Sequence, residues 1–392
     1  YPHSLGLFYS SVTDYCGFLV NEGEYKLMAL AAFGKPTYYE FFREQVFSIN
    51  IPTFSLDMSW FDYDKSPERS FSEKWIERFG SPIKQKDIND MESESFQRAA
   101  DLARSSQLII QDIINSTINW GIQETGIQDL TISGGVAQNS LAMCSAALVP
   151  GLNSVTVPPS PGDSGAALGA ANFAKMLDDG RSISCKNIFY GKSHLDVARP
   201  VFQELFVLES APKTMTKQLD ALISSGEIIC CYFGGNEIGP RALCNRSLIC
   251  AANNEKSVVA LNSVIKKREK FRPLAPVMLR SVAELWFEVN QKAFDCYRWM
   301  ALTAVAKENL PIEYEPILHF DRTARIQILD DDTHPIHGFL ARNRGKIDML
   351  VNTSFNVGGD PIVFDAFDCY VNMKRLGIHR MITDTGLYSC KP

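Results

Sequence analysis

The sequence predicts an α/β domain followed by an α+β domain, and three observations lead to this fold class. Two short apolar strands, at 130–132 and 155–157, are each followed by a glycine-containing turn and then by a helix, one from about Ala137 and one at 164–176. This repeated order is typical of α/β architecture. A stretch from 178 to 213, rich in Asp, Gly, Ser, Lys and Pro, then interrupts the apolar pattern, and strands dominate beyond it.

Length and composition limit the class of protein. The 392 residues suit two domains, which we place at 1–190 and 200–392. Hydrophobic residues make up 45% and charged residues 21% of the chain, as in ordinary soluble globular proteins. The formal net charge of -6 argues against nucleic-acid binding. No apolar run approaches the ~20 residues of a membrane span, and no secretory signal segment precedes the first apolar stretch.

Cysteine usage bears on the compartment. The ten cysteines are scattered without a CxxC pair, and Cys230 and Cys231 are adjacent within an apolar run. This usage is typical of buried thiols rather than a disulfide framework, so we expect a reducing, cytoplasmic location. The chain also begins at Tyr1 inside what reads as a structured segment, from which we expect a fragment.

The clearest single element is a helix over 94–120, in which apolar residues recur at helical spacing. Residues 36–93 are aromatic and polar without a clear period, which predicts an insertion or a loop-rich region. In the second domain the apolar runs predict strands at 228–233, 248–251, 301–306, 325–329 and 349–352, and helices near 255–265, 281–289 and 365–376.

Clustered cations are the most informative feature of the sequence. The segment GPRALCNRS contains Arg241 and Arg246, and KKREKFRP contains Lys266, Lys267, Arg268, Lys270 and Arg272. Because the whole protein is acidic and several of these cations lie between apolar residues, they indicate a local site for a small, multiply charged anion rather than a solvated face. The amides and hydroxyls of NTSFN, 352–356, follow the apolar strand 349–351, where a ligand is expected.

Four further features leave alternatives open. SGGVAQN, 133–139, is either a nucleotide-binding turn or a tight strand–helix turn. Asp163 either caps a helix or faces a nucleotide or metal. Lys26 is either half of a solvated ion pair with Glu24 or a ligand lysine. His334 and His337 lie in an acidic loop, which is either a metal site or, as we favour, a solvated loop.

Taken together, the motifs resemble those of the O-carbamoyltransferases of the nodulation-factor and antibiotic-tailoring type. They occur in the family's order along nearly the whole chain: YPHSLGLFYSSVTDYCGFLVNEGEYKLMALAAFGKP, ISGGVAQN, PSPGDSGAALGAA, GPRALCNRSL, KKREKFRPLAP, TARIQ and LVNTSFNVGGDPIV. The resemblance implies the C-terminal half of an actin/sugar-kinase/heat-shock-like ATPase domain, followed by a YrdC-like domain. It implies that the second domain forms carbamoyl adenylate from carbamoyl phosphate and ATP. The first domain, with a divalent metal (iron or magnesium), would transfer the carbamoyl group to a hydroxyl of a small molecule or glycan.

The same resemblance implies a role for individual residues. Catalytic roles fall to Lys266, Arg272 and Ser354. Binding of ATP and carbamoyl phosphate falls to Arg241, Arg246, Arg268, Arg325 and Asn352. In the first domain, nucleotide contacts fall to Lys26, Gly134, Gly135 and Asn139, and a metal ligand to Asp163.

Departures from the family pattern qualify the expected activity. The family's N-terminal phosphate-loop strands and the HxxxH pair that completes its metal site are not in this sequence. We therefore expect an incomplete enzyme that needs a separate N-terminal half for transfer to the hydroxyl. Cys244 stands where the family usually has glycine, and its Cβ lies at a turn between two arginines. The alternative function is a non-catalytic nucleotide-binding partner.

Overall fold

The computed structural model describes residues 1–181, 188–191, 193, 195, 197–266 and 268–392, apart from the side chain of Val264. Lys267 of the predicted cationic cluster lies outside the described residues, as does part of the predicted domain boundary at 178–213. The boundary therefore stays a prediction.

Helices dominate the first half. They are α1 Leu5–Tyr15, α2 Glu24–Leu30, α3 Tyr39–Phe41, α4 Glu73–Phe79, α5 Glu94–Thr125, α6 Ser140–Ala147 and α7 Ala166–Asp179. The strands are β1 Phe47–Asn50, β2 Thr53–Leu56, β3 Asp129–Thr131 and β4 Ser154–Thr156. β3 and β4 pair in parallel, as the repeated order of strand, turn and helix predicts.

Local signals explain where the longest helix starts and stops. Ser93 accepts a hydrogen bond from the amide of Phe96 at 3.1 Å and caps α5. Gly126, with φ of 69°, ends the helix in the left-handed region. The predicted helix at 94–120 is therefore confirmed, and it runs on to Thr125.

Two predictions for the first half need correction. A helix was expected from about Ala137, but a 3-10 turn covers Gly135–Gln138 and α6 begins at Ser140. The reason is that the Asn139 side chain accepts from the amide of Ala142 at 3.0 Å and sets the start of the helix. Residues 36–93 are not merely loop-rich, because they hold β1, β2 and α4 around buried aromatic side chains: Phe42, Phe61, Phe71, Trp75 and Phe79.

The second half is built on one large mixed sheet. Its helices are α8 Pro200–Leu205, α9 Pro212–Ser224, α10 Glu255–Val259, α11 Arg280–Trp286, α12 Pro335–Arg342 and α13 Ala366–Leu376, with a π-helix at Ala260–Ile265 after α10. Its strands are β5 Phe206–Ser210, β6 Ile229–Tyr232, β7 Arg246–Ala251, β8 Ala275–Met278, β9 Ala304–Val305, β10 Thr323–Ala324, β11 Gln327–Ile328, β12 Met349–Ser354, β13 Arg380–Thr383 and β14 Gly386–Cys390.

Eight of these strands form the sheet in the order β11-β8-β12-β7-β6-β13-β14-β5. The pairs β11–β8 and β13–β6 are parallel, and the other neighbours are antiparallel. The predicted strands near β6, β7 and β12 are confirmed, whereas those at 301–306 and 325–329 shrink to β9 and β11. β8 was missed because Pro276 lies inside it and proline argues against a strand.

The two halves pack against each other through polar as well as apolar contacts. Trp299 Nε1 donates to the carbonyl of Val157 at 2.8 Å, and Asn290 Nδ2 donates to the carbonyl of Ala147 at 2.9 Å. At Gly239, with φ of 99°, a Cβ would lie 2.2 Å from the Pro159 carbonyl oxygen. Only glycine permits this close approach, so the loop carrying Arg241 is seated directly on the first half.

Two composition-based expectations can also be compared with the structure. The described cysteines are all free, and Cys230 and Cys231 are buried in β6, as predicted; Cys185 lies outside the described residues. Within the described ranges, no helix combines the length and the apolar character needed to cross a bilayer.

Candidate active site

A cavity of about 240 Å³ lies at the junction of the two halves and gathers most of the predicted anion-binding residues. From the first half it is lined by Tyr25, Met28, Ala29, Ser140 and Leu141. From the second half its polar lining comes from Arg241, Arg268, Arg272, Thr303, His319, Thr323, Arg325, Asn352, Thr353 and Ser354. Both halves therefore form the walls of one site.

Arg241 and Arg325 face this cavity without a protein partner. Within the part of the chain that the structure describes, neither guanidinium has a hydrogen bond or an ion pair, and Arg325 Nε is buried and unsatisfied. Burial lowers the pKa of Arg241 to about 10. Burial, and then the charges of Arg241, Arg268 and Arg272, hold the pKa of Arg325 well below its usual range. Desolvated, mutually repelling cations need an external anion to balance them.

Arg268 and Arg272 belong to the same positive cluster but have partners. Arg268 donates to Thr353 Oγ1 at 2.5 Å, and burial lowers its pKa to about 10. Arg272 lies 3.3 Å from Glu269 Oε2, and its guanidinium carbon is 4.6 Å from the centre of the Tyr25 ring. These contacts fix the direction of both side chains at the cavity wall.

Lys266 lies beside the cavity but is not one of the residues that line it. Its ammonium group donates to the carbonyls of Ser354 at 3.0 Å and Asn356 at 2.7 Å, and to Asn356 Oδ1 at 2.7 Å. Burial, followed by the charges of Arg268 and Arg272, lowers the pKa of Lys266 to about 7. In this conformation Lys266 holds the end of β12, and therefore Ser354, in place.

Asn352 lines the same cavity and has an unsatisfied acceptor. Its Nδ2 donates to the Ala242 carbonyl at 3.0 Å and to Gln327 Oε1 at 2.7 Å. Its Oδ1 is buried and has no hydrogen-bond partner, and the residue as a whole is only 2% exposed. A ligand with an N–H group would satisfy this atom. Ser354, two residues further on, donates to Asn356 Oδ1 at 2.6 Å and also lines the cavity.

Arg246 is not among the residues that line the cavity. It is fully buried, and its guanidinium donates to the carbonyls of Phe233 at 2.5 Å, Gly234 at 2.9 Å and Asn245 at 3.1 Å. It also lies 3.4 Å from the centre of the Tyr232 ring. These contacts give Arg246 a structural role at the end of β6, and its predicted substrate contact stays a prediction.

The glycine loops of the first half come together, but their glycines do not line the cavity. Gly134 donates to the Pro161 carbonyl at 2.7 Å, so the loops containing Gly135 and Asp163 lie side by side. Asn139 caps α6 and exchanges hydrogen bonds with Gln107 at 2.9 and 3.2 Å. Ser140, the next residue along the chain, lines the cavity, whereas Gly134 and Gly135 do not.

Asp163 does not cap a helix, because Gly165 precedes α7 and no side chain caps it. Asp163 is exposed, and the described residues contain no group of three His, Cys, Asp or Glu side chains arranged to hold a metal ion. Asp163 is therefore not part of such a group, and its role as a metal ligand stays a prediction. The acidic loop gives no metal site either, since His334 Nε2 is bonded to Asn245 Oδ1 at 3.0 Å and its Nδ1 accepts from Ile336 N. The acidic residues Asp330, Asp331 and Asp332 are exposed, as expected of a solvated loop, but His334 is buried.

The alternative that Lys26 forms a solvated ion pair with Glu24 is wrong. Its ammonium lies 2.8 Å from Glu269 Oε1 in the second half, whereas Glu24 accepts from Ser10 Oγ at 2.7 Å. Sequence reasoning also missed Tyr25 and His319, which line the cavity. Tyr25 could have been found through its place beside Lys26, but His319 had no signal in the sequence.

The family comparisons agree with this geometry. The carbamoyltransferase N-terminus model matches residues 1–172, and the carbamoyltransferase C-terminus model matches residues 220–389. The chain belongs to the carbamoyltransferase family. Both family models find their match within the chain, so our expectation that it lacks the N-terminal part is not borne out.

Relatives of the chain include nodulation proteins and 3'-hydroxymethylcephem-O-carbamoyltransferases. It is 31% identical to an uncharacterized protein of Synechocystis sp. over 95% of the chain and 65% of that protein. It is 27% identical to nodulation protein NolO of Bradyrhizobium diazoefficiens over 100% of the chain and 70% of the relative. It is 32% identical to the 3'-hydroxymethylcephem-O-carbamoyltransferase of Streptomyces clavuligerus over 60% of the chain and 43% of that enzyme.

Coverage and structural likeness complete the comparison. The chain spans 65%, 60% and 52% of the lengths of three curated relatives, from Synechocystis, Methanocaldococcus jannaschii and Sinorhizobium fredii. Among solved structures, full-length HypF in its phosphate- and nucleotide-bound form aligns with 44% of this chain at 21% identity. That alignment covers 21% of the HypF chain with a TM-score of 0.34, which is too low for an argument about fold.

Proposed function

We propose that this protein forms carbamoyl adenylate from carbamoyl phosphate and ATP and passes the carbamoyl group to a hydroxyl of a small molecule or glycan. The observation that supports it is a pair of guanidinium groups, Arg241 and Arg325, that have no hydrogen-bond or ion-pair partner among the described residues and that line a cavity with Arg268 and Arg272. Cations arranged in this way match phosphate groups, since arginine donates in a fork to phosphate oxygens.

The reaction proposed for the cavity is balanced when one molecule of water is consumed. Carbamoyl phosphate, ATP and water give carbamoyl adenylate, phosphate and pyrophosphate. The arginines stabilise the negative charge that builds on the departing phosphate groups, which is the part of the reaction where fixed cations help most. Asn352 Oδ1 accepts from the carbamoyl NH₂, and Lys266 holds the strand end that carries Ser354.

The finer assignments belong to the same proposal. The kinase-like and YrdC-like descriptions of the two domains are supported by the order of the motifs, and the cytoplasmic location by cysteine usage. The names of the cephem O-carbamoyltransferases support a hydroxyl acceptor for this chain. A divalent metal remains a prediction that requires ligands other than Asp163, and we route no step through it.

The test is carbamoyl-phosphate-dependent release of pyrophosphate from ATP. We expect release by the wild type and a loss of at least about a hundredfold in Arg325→Gln, because one unpaired charge is removed from the site. Arg272→Ala and Ser354→Ala should also lose activity. Arg43→Gln, a change of the same type at an exposed arginine outside the cavity, is the matched control. Nucleotide binding without pyrophosphate release by the wild type would sink the proposal in favour of a non-catalytic binding protein.

A further inference from the structure

A carboxylate from the second half, that of Glu269, lies against the arginine cluster. Glu269 lies in the turn that also carries Arg268 and Arg272, and its Oε2 is 3.3 Å from Arg272. Its side chain is 11% exposed, so its charge is poorly screened by water. Left alone, this carboxylate would occupy Arg272 as an internal substitute for a phosphate group.

The first half supplies two groups that bind the carboxylate of Glu269. Lys26 Nζ lies 2.8 Å from Oε1, and Gln85 Nε2 donates to the same oxygen at 2.9 Å. Both contacts are shorter than the contact of Arg272 with Oε2, at 3.3 Å. Although burial of Glu269 works in the opposite direction, its hydrogen bond to Lys26 and the charges of Lys26 and Arg272 lower its pKa, so the group is a carboxylate.

Tyr25, the neighbour of Lys26 on α2, holds Arg272 from another side. The ring contact at 4.6 Å orients the guanidinium but adds no negative charge, so the cation stays available to an anion. One turn of one helix therefore provides both the orientation of Arg272 and the neutralisation of its competitor.

We propose that Lys26 is a positioning residue that acts through Glu269, weakening the hold of this carboxylate on Arg272 so that Arg272 can bind the phosphate-bearing ligand, and that the first half thereby sets the anion affinity of a site whose described arginines come from the second half. The inference rests on the proposed function in one respect, namely that the cavity takes a phosphate-type anion. It differs from a direct ligand role for Lys26, which the sequence motif suggested.

Variants that change the net charge beside the cavity distinguish a positioning role of Lys26 from a direct ligand role. Lys26→Met removes a positive charge and leaves Glu269 to Arg272, which should weaken anion binding about tenfold. Glu269→Gln removes the competitor while keeping an oxygen that can accept from Lys26, so binding should be equal or tighter. The double variant Lys26→Met/Glu269→Gln has the same net charge beside the cavity as the wild type, and its affinity should return to within about twofold of the wild-type value.

The experiment is calorimetric titration of the whole chain with inorganic pyrophosphate at fixed ionic strength, with thermal unfolding of each variant to verify folding. Lys26→Arg should keep the affinity, and Lys35→Met, at an exposed lysine of the first half, should leave it unchanged. An affinity that stays low in the double variant, or that is unaffected in Lys26→Met, overturns the inference while pyrophosphate binding by the wild type still stands. Failure of the wild type to bind pyrophosphate overturns the anion site itself and the inference with it.

Discussion

Asn352 and Gln327 join two strands of the large sheet through one side-chain hydrogen bond, in which Asn352 Nδ2 donates to Gln327 Oε1 at 2.7 Å. Gln327 is itself fixed, because its Nε2 donates to the Leu243 carbonyl at 3.2 Å. This arrangement sets the amide so that Nδ2 is used within the protein, while Oδ1 of this cavity-lining residue has no hydrogen-bond partner. The site thus offers an acceptor as well as cations.

That acceptor predicts discrimination between acyl phosphates. Carbamoyl phosphate can donate an N–H to Asn352 Oδ1, whereas acetyl phosphate presents a methyl group and leaves the oxygen unpaired. We expect the wild type to bind carbamoyl phosphate on the order of tenfold more tightly than acetyl phosphate. In Asn352→Ala the ratio should fall towards one, as measured by competition of the two compounds with pyrophosphate. An unchanged ratio in the variant would exclude this role for Oδ1.

Arg325 and Arg246 should respond in opposite ways to the same substitution. In Arg325→Gln the repulsion from Arg241, Arg268 and Arg272 is relieved, so the free energy of unfolding without ligand should hold or rise by about 1 kcal/mol. Arg246→Gln removes donors to three carbonyls and a ring contact, and should cost about 3 kcal/mol. Urea denaturation of both variants measures the difference. Equal destabilisation would contradict the division of roles.

Lys266 should give the protein a recognisable pH dependence of stability. Its pKa is about 7 in the folded protein, mainly because of burial, against about 10.4 in an unfolded chain. Between these values the unfolded chain holds a proton that the folded protein has released, so the contribution of Lys266 to stability is least favourable below pH 7 and rises with pH.

The check is the unfolding free energy of the wild type minus that of Lys266→Met, measured at two pH values. From pH 7 to pH 9 the difference should grow by on the order of 2 kcal/mol, since a full proton corresponds to about 1.4 kcal/mol per pH unit. Lys35→Met, at an exposed lysine, should show no such slope. A constant difference for Lys266→Met would mean that the ammonium stays charged throughout.

Cys244 has the backbone conformation that explains why glycine is usual there. Its φ is 83°, and its buried thiol lies 3.6 Å from Gln327 Oε1. Cys244→Gly should therefore relieve about 1 kcal/mol of backbone strain and lose a similar amount of buried surface, leaving stability within about 1 kcal/mol of the wild type. Cys244→Val should cost more than about 2 kcal/mol, because a β-branched side chain disfavours positive φ. Thermal unfolding distinguishes the two, and an equal loss in both would argue against strain at this position.

Local sequence patterns were enough to predict α5, β6, β7 and β12, because a long amphipathic period or a continuous apolar run is compatible with few other structures. They failed where tertiary packing decides the conformation. β8 contains Pro276, and residues 36–93 form elements around aromatic side chains that follow no period. The sequence motifs likewise pointed to the cavity arginines, but they could not separate Arg246 from Arg241, because both occur in the same short segment.

The sequence by itself determined the family, and its cations between apolar residues in an acidic chain predicted an anion site and the residue types that would supply it. Only the tertiary structure decided which of those residues share a cavity. It placed Arg241 and Arg325 there with no partner among the described residues, turned Arg246 towards backbone carbonyls, and paired Lys26 with Glu269 across the two halves. The physical reason is that charge balance depends on distances between side chains far apart in the chain, which no local pattern encodes.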